Sequence, residues 1–184
     1  MKAPIVAMLL LTMYFGGGLI PTYLNIKELG LYNSHWSLVI PGAVSIYNAI
    51  ICKTAIEAVP ESLSESAYLD GANDIQVLFK IIMPLIKPTL AVLVLYYGVS
   101  HWNSWFSASI YLEDPNLLPM QNVLRAILNQ ASGMSGENTD IGADSFAAAV
   151  KYAAIIIATV PILCVYPFLQ KHFTKGVMIG AVKG

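Results

Sequence analysis

Four long stretches of this chain, residues 3–21, 37–52, 89–111 and 146–169, run almost without charge, and Lys151 is the one charged side chain among them. A hydrocarbon core of about 30 Å needs roughly 20 mainly apolar residues per helix, so each run reads as a membrane-spanning helix. The run at 37–52 is short, but apolar helix formers continue past Lys53, whose long side chain can snorkel to the interface. The expected fold class is an all-α integral membrane protein with about four membrane helices.

Composition supports lipid as the solvent. Of the 184 residues 57% are hydrophobic and 11% charged, against roughly 25% charged in soluble domains. The net charge of -1 offers nothing for nucleic acid to recognise. Cys52 and Cys164 lie in apolar runs without a CxxC or Cys/His pattern, so they read as small apolar fillers rather than a disulfide or a metal site. Met1 and Lys2 before an apolar stretch also suit a secretory leader, but the run continues through Gly16-Gly17-Gly18 to Pro21 with no clean small-x-small cleavage site, which favours a membrane helix.

Lys and Arg set the orientation. With both termini cytoplasmic, Lys2, Lys53, Lys80, Lys87, Lys171, Lys175 and Lys183 lie inside, and Lys27, Arg125 and Lys151 outside. Segment 57–88 then becomes a cytoplasmic loop and segment 112–145 an external one.

The cytoplasmic loop reads as two short helices. Ser62 and Glu65 have capping-box spacing, Gly71 suits the left-handed end of a helix, and Asn73 or Asp74 can cap a second helix. That helix would place Ile75, Leu78, Phe79 and Ile82 on one face and Pro84 near its end.

At these residues the chain resembles the permease subunits of binding-protein-dependent ABC importers. Their EAA loop has Glu-Ala-Ala, then Gly, then Ile and Leu-Pro at fixed spacing, and here the pattern falls on Glu65, Ser66, Ala67, Gly71, Ile81, Met83 and Pro84. Ser66 for Ala and Met83 for Leu are modest departures that keep small size and apolar volume. Asp70-Gly71-Ala72, Pro84 to Pro88, Phe15 to Tyr23, Trp102-Asn103 and the closing Gly-Ala-Val-Lys-Gly are similar to the carbohydrate-uptake branch.

The resemblance implies a type I ABC importer transmembrane fold in a bacterial cytoplasmic membrane. It implies import of an oligosaccharide or polysaccharide-derived sugar with cytoplasmic ATPase subunits, a second permease subunit and an extracytoplasmic solute-binding protein. ATP would be bound by the ATPase, leaving this chain with no cofactor and no enzymatic role. ATPase coupling would fall to Glu65, Ala67, Asp70, Gly71, Ala72, Ile81 and Pro84, and Lys183 of the tail could also reach the ATPase or the anionic membrane surface. Such permeases usually have six spans, so two helices are expected to precede the first one here and the chain is expected to be incomplete.

Polar residues at helical spacing within the runs are candidates for the translocation path or for joining helices. Pro41, Ser45, Asn48 and Cys52 form one stripe, and Tyr96, Ser100, Asn103 and Ser107 another. Asn48, Ser100, Trp102 and Asn103 are the candidate path residues: amides and hydroxyls match sugar hydroxyls, and Trp102 or Trp105 could offer a flat apolar face. His101 reads as a packing or interfacial residue. In the external segment, 119–130 suits an amphipathic helix with Leu124, Ile127 and Leu128 on one side, and the Gly-, Asn- and Asp-rich stretch that follows suits a loop.

Neither a phosphate-binding Gly-rich loop nor a nucleophile-base pattern occurs in the sequence. Two rival readings are a membrane-embedded lipid-modifying transferase using Asp70 and Asp74 as a metal-binding pair, and a permease fragment without activity.

Overall fold

Glycine, proline and short polar residues decide where the apolar runs stay helical and where they break. The computed structural model describes residues 2–134 and 141–180. Among these the regular structure is helical: α1 (Lys2–Tyr14), α2 (Leu19–Glu28), α3 (Trp36–Val39), α4 (Ile46–Glu57), α5 (Glu61–Leu69) and α6 (Asp74–Val77) come first. A π turn (Leu78–Ile82) leads into α7 (Met83–Leu85), α8 (Lys87–Trp102) and α9 (Trp105–Tyr111). A 3-10 turn (Pro115–Leu117), α10 (Met120–Met134) and α11 (Ile141–Gly180) complete the order.

Three of the four expected spans are interrupted. The first ends at Tyr14, because three successive glycines are poor helix formers and Gly18 has φ of 87°, open to glycine but strained for other residues. The second divides around Pro41 and Gly42 into α3 and α4, and α4 restarts on the Ser45 cap, whose side chain accepts from the Asn48 backbone N–H. The third turns at Asn103 and Ser104, separating α8 from α9.

The fourth stays continuous through Pro161 and Pro167, although each proline removes one intrahelical donor. Within it, Ala147–Pro167 has a mean hydropathy of 2.1 and is long and apolar enough to cross a membrane alone. Among the described residues the number of helices long and apolar enough to cross a membrane rises from one to as many as three if the broken pairs Pro4–Tyr14 with Leu19–Glu28, and Asp74–Leu85 with Lys87–Trp102, each count as one. The four apolar runs are thus all present as helical segments, three of them with a break inside.

The chain divides into two compact units. The first comprises Met1–Gly16, Ala43–Tyr97 and Phe168–Gly184. Here α1 packs on α4, and the Ser45 backbone N–H donates to the Tyr97 hydroxyl at 3.0 Å. Val77, Ile86, Ala91 and Leu93 are buried, as is Asn48.

The second unit comprises Gly17–Gly42 and Gly98–Pro167. Its core includes Ile26, Ala108, Tyr111, Leu112, Leu124 and Ala154, with Ser37 the buried polar member. Asn33 clasps two segments far apart in sequence: its Oδ1 accepts from the backbone N–H groups of Glu113 at 2.9 Å and Asp114 at 3.0 Å, and its own N–H donates to the Tyr111 carbonyl at 2.8 Å. Its φ of 53° is left-handed, a region that asparagine tolerates better than most residues. The ring of Tyr23 stacks on Tyr111 and meets Tyr32 edge-on.

Elsewhere many large apolar side chains are exposed, Val94 at 63% and Ile156 at 60% among them. In water such surface would be costly; in a bilayer it faces a solvent as apolar as itself.

Candidate functional site

The first candidate site is the helical hairpin 60–85. Helix α5 begins at Glu61, one residue before the expected cap, so Ser62 lies inside the helix and the Ser62–Glu65 capping box does not form. Pro60 sets the start instead, supplying a fixed φ of -57°. The other end follows the sequence closely. Gly71 takes φ of 83°, its N–H donates to the Tyr68 carbonyl at 3.0 Å, and the Ala72 N–H donates to the Ala67 carbonyl at 2.9 Å. Those two bonds make a Schellman close, which satisfies carbonyls that a helix end would otherwise leave bare.

Asn73 then caps α6 through a reciprocal box: its Oδ1 accepts from the Gln76 backbone N–H at 2.9 Å, and its own N–H donates to Gln76 Oε1 at 3.2 Å. The Tyr68 hydroxyl ties the two helices by donating to Asp74 Oδ1 at 3.0 Å. That bond, together with burial and the nearby carboxylate charge, pushes the Tyr68 pKa upward. The π turn lies directly before Pro84, where a proline cannot supply the N–H that a regular helix would give to Lys80.

The seven residues expected in coupling fall on this hairpin with different exposures. Glu65, Asp70, Gly71 and Pro84 are exposed, Ala72 and Ile81 are half-buried, and Ala67 is buried against its own chain. Ala67 therefore fits the hairpin together instead of opening it to close approach from outside. The apolar face expected here is not the inward one: Val77 is 2% exposed, whereas Ile75 is 67% and Phe79 59% exposed. With Leu69 at 90% exposure, Ile75 and Phe79 give this polar hairpin an apolar outer surface. Among the described residues no three His, Cys, Asp or Glu side chains are grouped closely enough to hold a metal ion.

The second candidate site lies wholly within the second unit. Asn103 is exposed at the α8–α9 turn, and its Nδ2 donates to the Val99 carbonyl at 3.0 Å. It lines an open groove of about 310 Å³ with Trp105, Gln121, Leu124, Arg125, Leu128, Ala154, Ile155 and Ala158. The Arg125 guanidinium lies over the Trp105 indole, 3.6 Å from the ring centroid. Asn122 fastens α10 to α9, with Nδ2 donating to the Trp105 carbonyl at 3.0 Å and to Ser109 Oγ at 2.9 Å.

Trp102 does not line this groove. Its Nε1 donates to the Ala158 carbonyl at 3.0 Å, a tie between α8 and α11. Ser100 is exposed, and Asn48 is buried in the first unit beneath the Ser45 cap. On α10 the inward residues are Leu124, Leu128 and Ala131, while Ile127 is 42% exposed. That helix runs to Met134 and α11 starts at Ile141. Residues 135–140 of the expected loop, Glu137 and Asp140 among them, and Lys183 of the tail lie outside the described residues.

Sequence reasoning missed Arg125 and Gln121 as groove residues. The available signal was a lone arginine on the polar face of an otherwise uncharged amphipathic helix. It also assigned nothing to His35, whose Nε2 lies 3.2 Å from the Leu117 carbonyl in the Asn33 clasp.

The family model described as "Binding-protein-dependent transport system inner membrane component" matches residues 3–179. The polygalacturonan/rhamnogalacturonan transport system permease protein YtcP of Bacillus subtilis (strain 168) is 44% identical over 100% of this chain and 65% of its own length. Protein LplC of the same organism is 44% identical over 96% of this chain and 60% of its own. A chain in the crystal structure of a bacterial ABC transporter involved in the import of the acidic polysaccharide alginate matches with a TM-score of 0.77 and 31% identity, over 92% of this chain and 61% of that one. The chain thus spans less than two thirds of the length of each of these relatives.

Proposed function

The chain belongs to the family of binding-protein-dependent transport system inner membrane components, and from that premise we propose that it forms part of the translocation pathway of an ATP-driven carbohydrate importer. Its fold is the all-α transmembrane fold of type I ABC importers, and its family is one of transport components rather than enzymes. The carbohydrate reading is supported by relatives whose names specify polygalacturonan or galactooligosaccharide transport.

In this reading, hairpin 60–85 couples the chain to a separate cytoplasmic ATPase, which binds the ATP; this chain needs no cofactor of its own. A second permease subunit and an extracytoplasmic solute-binding protein complete the assembly, in a multi-pass arrangement with both termini cytoplasmic. The observation that carries the reading is the construction of the hairpin. A Schellman close at Gly71 and a capping box at Asn73 fix two short helices into one body, and Leu69, Ile75 and Phe79 remain uncovered on it. A rigid body with an apolar surface and the exposed carboxylates Glu65 and Asp70 can receive a push and pass it to α8, which follows within a few residues.

Gly71→Val tests this role. Valine strains a backbone at φ of 83°, although a Cβ there would meet no neighbour within 4 Å, so the effect is confined to the turn. The expected outcome is a transporter that still assembles in the membrane but loses ATP-dependent oligosaccharide uptake in reconstituted vesicles. Undiminished uptake would remove the hairpin from the coupling pathway.

A further inference from the structure

The groove on α10 and α11 has a chemistry that a neutral sugar does not require. The hollow lined by Asn103, Trp105, Gln121 and Arg125 shares Leu128 and Ile155 with a second hollow of about 550 Å³ lined by Ala131, Ser132 and Lys151. Two cations therefore line adjoining hollows, Arg125 the first and Lys151 the second. Among the described residues neither has an ion-pair partner; the ion pair present is Lys53–Glu57.

The Arg125 guanidinium lies over the Trp105 ring, its central carbon 3.6 Å from the centroid. A cation–π contact restrains the guanidinium without using its N–H donors, and a guanidinium fork matches a carboxylate in two parallel hydrogen bonds. Gln121 and the Asn103 Oδ1 add neutral acceptors and donors of the kind sugar hydroxyls take. Lys151 is an exposed cation near the start of the apolar stretch Ala147–Pro167 of α11. The two hollows fall within the range of about 300–1,000 Å³ common to small-molecule sites.

We propose that this groove is a cargo subsite for acidic oligosaccharides, in which Arg125 receives the carboxylate of one uronate unit and Lys151 that of a neighbouring unit. The proposal rests on the carbohydrate reading above and narrows it to sugars bearing carboxylates.

The test uses the complete transporter reconstituted with its partner subunits, a labelled galacturonate trimer, and the same trimer with its carboxylates reduced to alcohols. The unaltered transporter is expected to take up the acidic trimer in preference to the reduced one. Arg125→Gln should raise the half-saturating concentration for the acidic trimer at least about tenfold, the scale of a lost charge-assisted hydrogen bond, and leave the reduced trimer unaffected. Arg125→Lys should recover part of the loss, and Lys151→Gln should give a smaller loss of the same selectivity.

Uptake of the reduced trimer also shows that each variant is folded. Equal effects on both trimers, or none on either, would overturn the proposal. So would loss of the second permease subunit on purification of Arg125→Gln, which would make the groove an assembly surface. An effect of the substitutions seen in vesicles containing phosphatidylglycerol but absent in phosphatidylcholine alone would assign the cations to lipid headgroups and overturn it as well. A transporter that carries neutral sugars only would refute this inference while sparing the parent reading; one that carries no carbohydrate would refute both.

Discussion

The hairpin at 60–85 and the clasp around Asn33 are both built from hydrogen bonds at chain turns, yet they are held in opposite ways. In the hairpin, the partners are near neighbours: Asn73 with Gln76, Gly71 with Tyr68, Tyr68 with Asp74. In the clasp, Asn33 and Tyr32 reach Glu113 across 80 and 81 positions, and His35 reaches Leu117 across 82. Local bonds make a body that can move as one piece without unfolding the rest. Long-range bonds close a loop in the chain, and breaking them releases both segments.

The largest expected effect is therefore at Asn33. Asn33→Ala removes the acceptor of two backbone N–H groups and puts alanine at a left-handed φ, together about 2–4 kcal/mol. Thermal unfolding of the detergent-solubilised transporter should show a lower midpoint, and Asn33→Gly should recover the backbone part only. An unchanged midpoint would mean that the clasp contributes nothing to the unit it closes.

Gly71→Ala should cost about 1–2 kcal/mol, confined to the turn. Hydrogen exchange should show faster exchange in residues 66–76 with little change in the clasp, and Gly71→Asn should restore most of the protection. Spread of the effect to the segment around Glu113 would contradict the hairpin's independence. Smaller again is Asn73→Ala, where losing the cap costs about 1 kcal/mol and Asn73→Ser retains most of it. Local exchange at the start of α6 reads that difference.

The smallest effects concern the two tyrosines. Tyr68 and Tyr32 both have pKa values above the ordinary 10.0, Tyr68 through its bond to Asp74 and Tyr32, pushed up to about 12, through bonds to Tyr23 and Glu113. A raised folded-state pKa stabilises fully below the unfolded value and is lost as pH rises through the folded one. Both ties should thus be insensitive to pH across the neutral range and weaken only above pH 10. Tyrosinate absorbance, compared between the native chain, Tyr68→Phe and Tyr32→Phe, should assign each delayed titration; a component titrating at or below 10 would contradict the corresponding tie.

The same contrast explains what was legible in the sequence. Gly71 and Asn73 could be read correctly because their partners lie within a few residues and their roles follow from backbone preference. Ser62 misled because Ser-x-x-Glu spacing competes with Pro60, which starts the helix one residue earlier. Ile75 and Phe79 were expected to share one face, but periodicity cannot tell an inward apolar stripe from one left bare for a partner; Val77 is the buried one. The apolar runs were read as unbroken because hydropathy does not weigh Gly16-Gly17-Gly18 or Pro41-Gly42 against helix continuity. The clasp and the Arg125–Trp105 stack were not legible, since nothing in a single sequence pairs residue 33 with 113 or indicates that Arg125 lies over an indole.

The central claim is that the hairpin faces the compartment that holds ATP. Cysteine at Ser62, an exposed position, in a chain carrying Cys52→Ala and Cys164→Ala, tests it with a membrane-impermeant maleimide. The account predicts labelling in inside-out vesicles and none in intact cells. Labelling in intact cells would invert the topology and contradict the account.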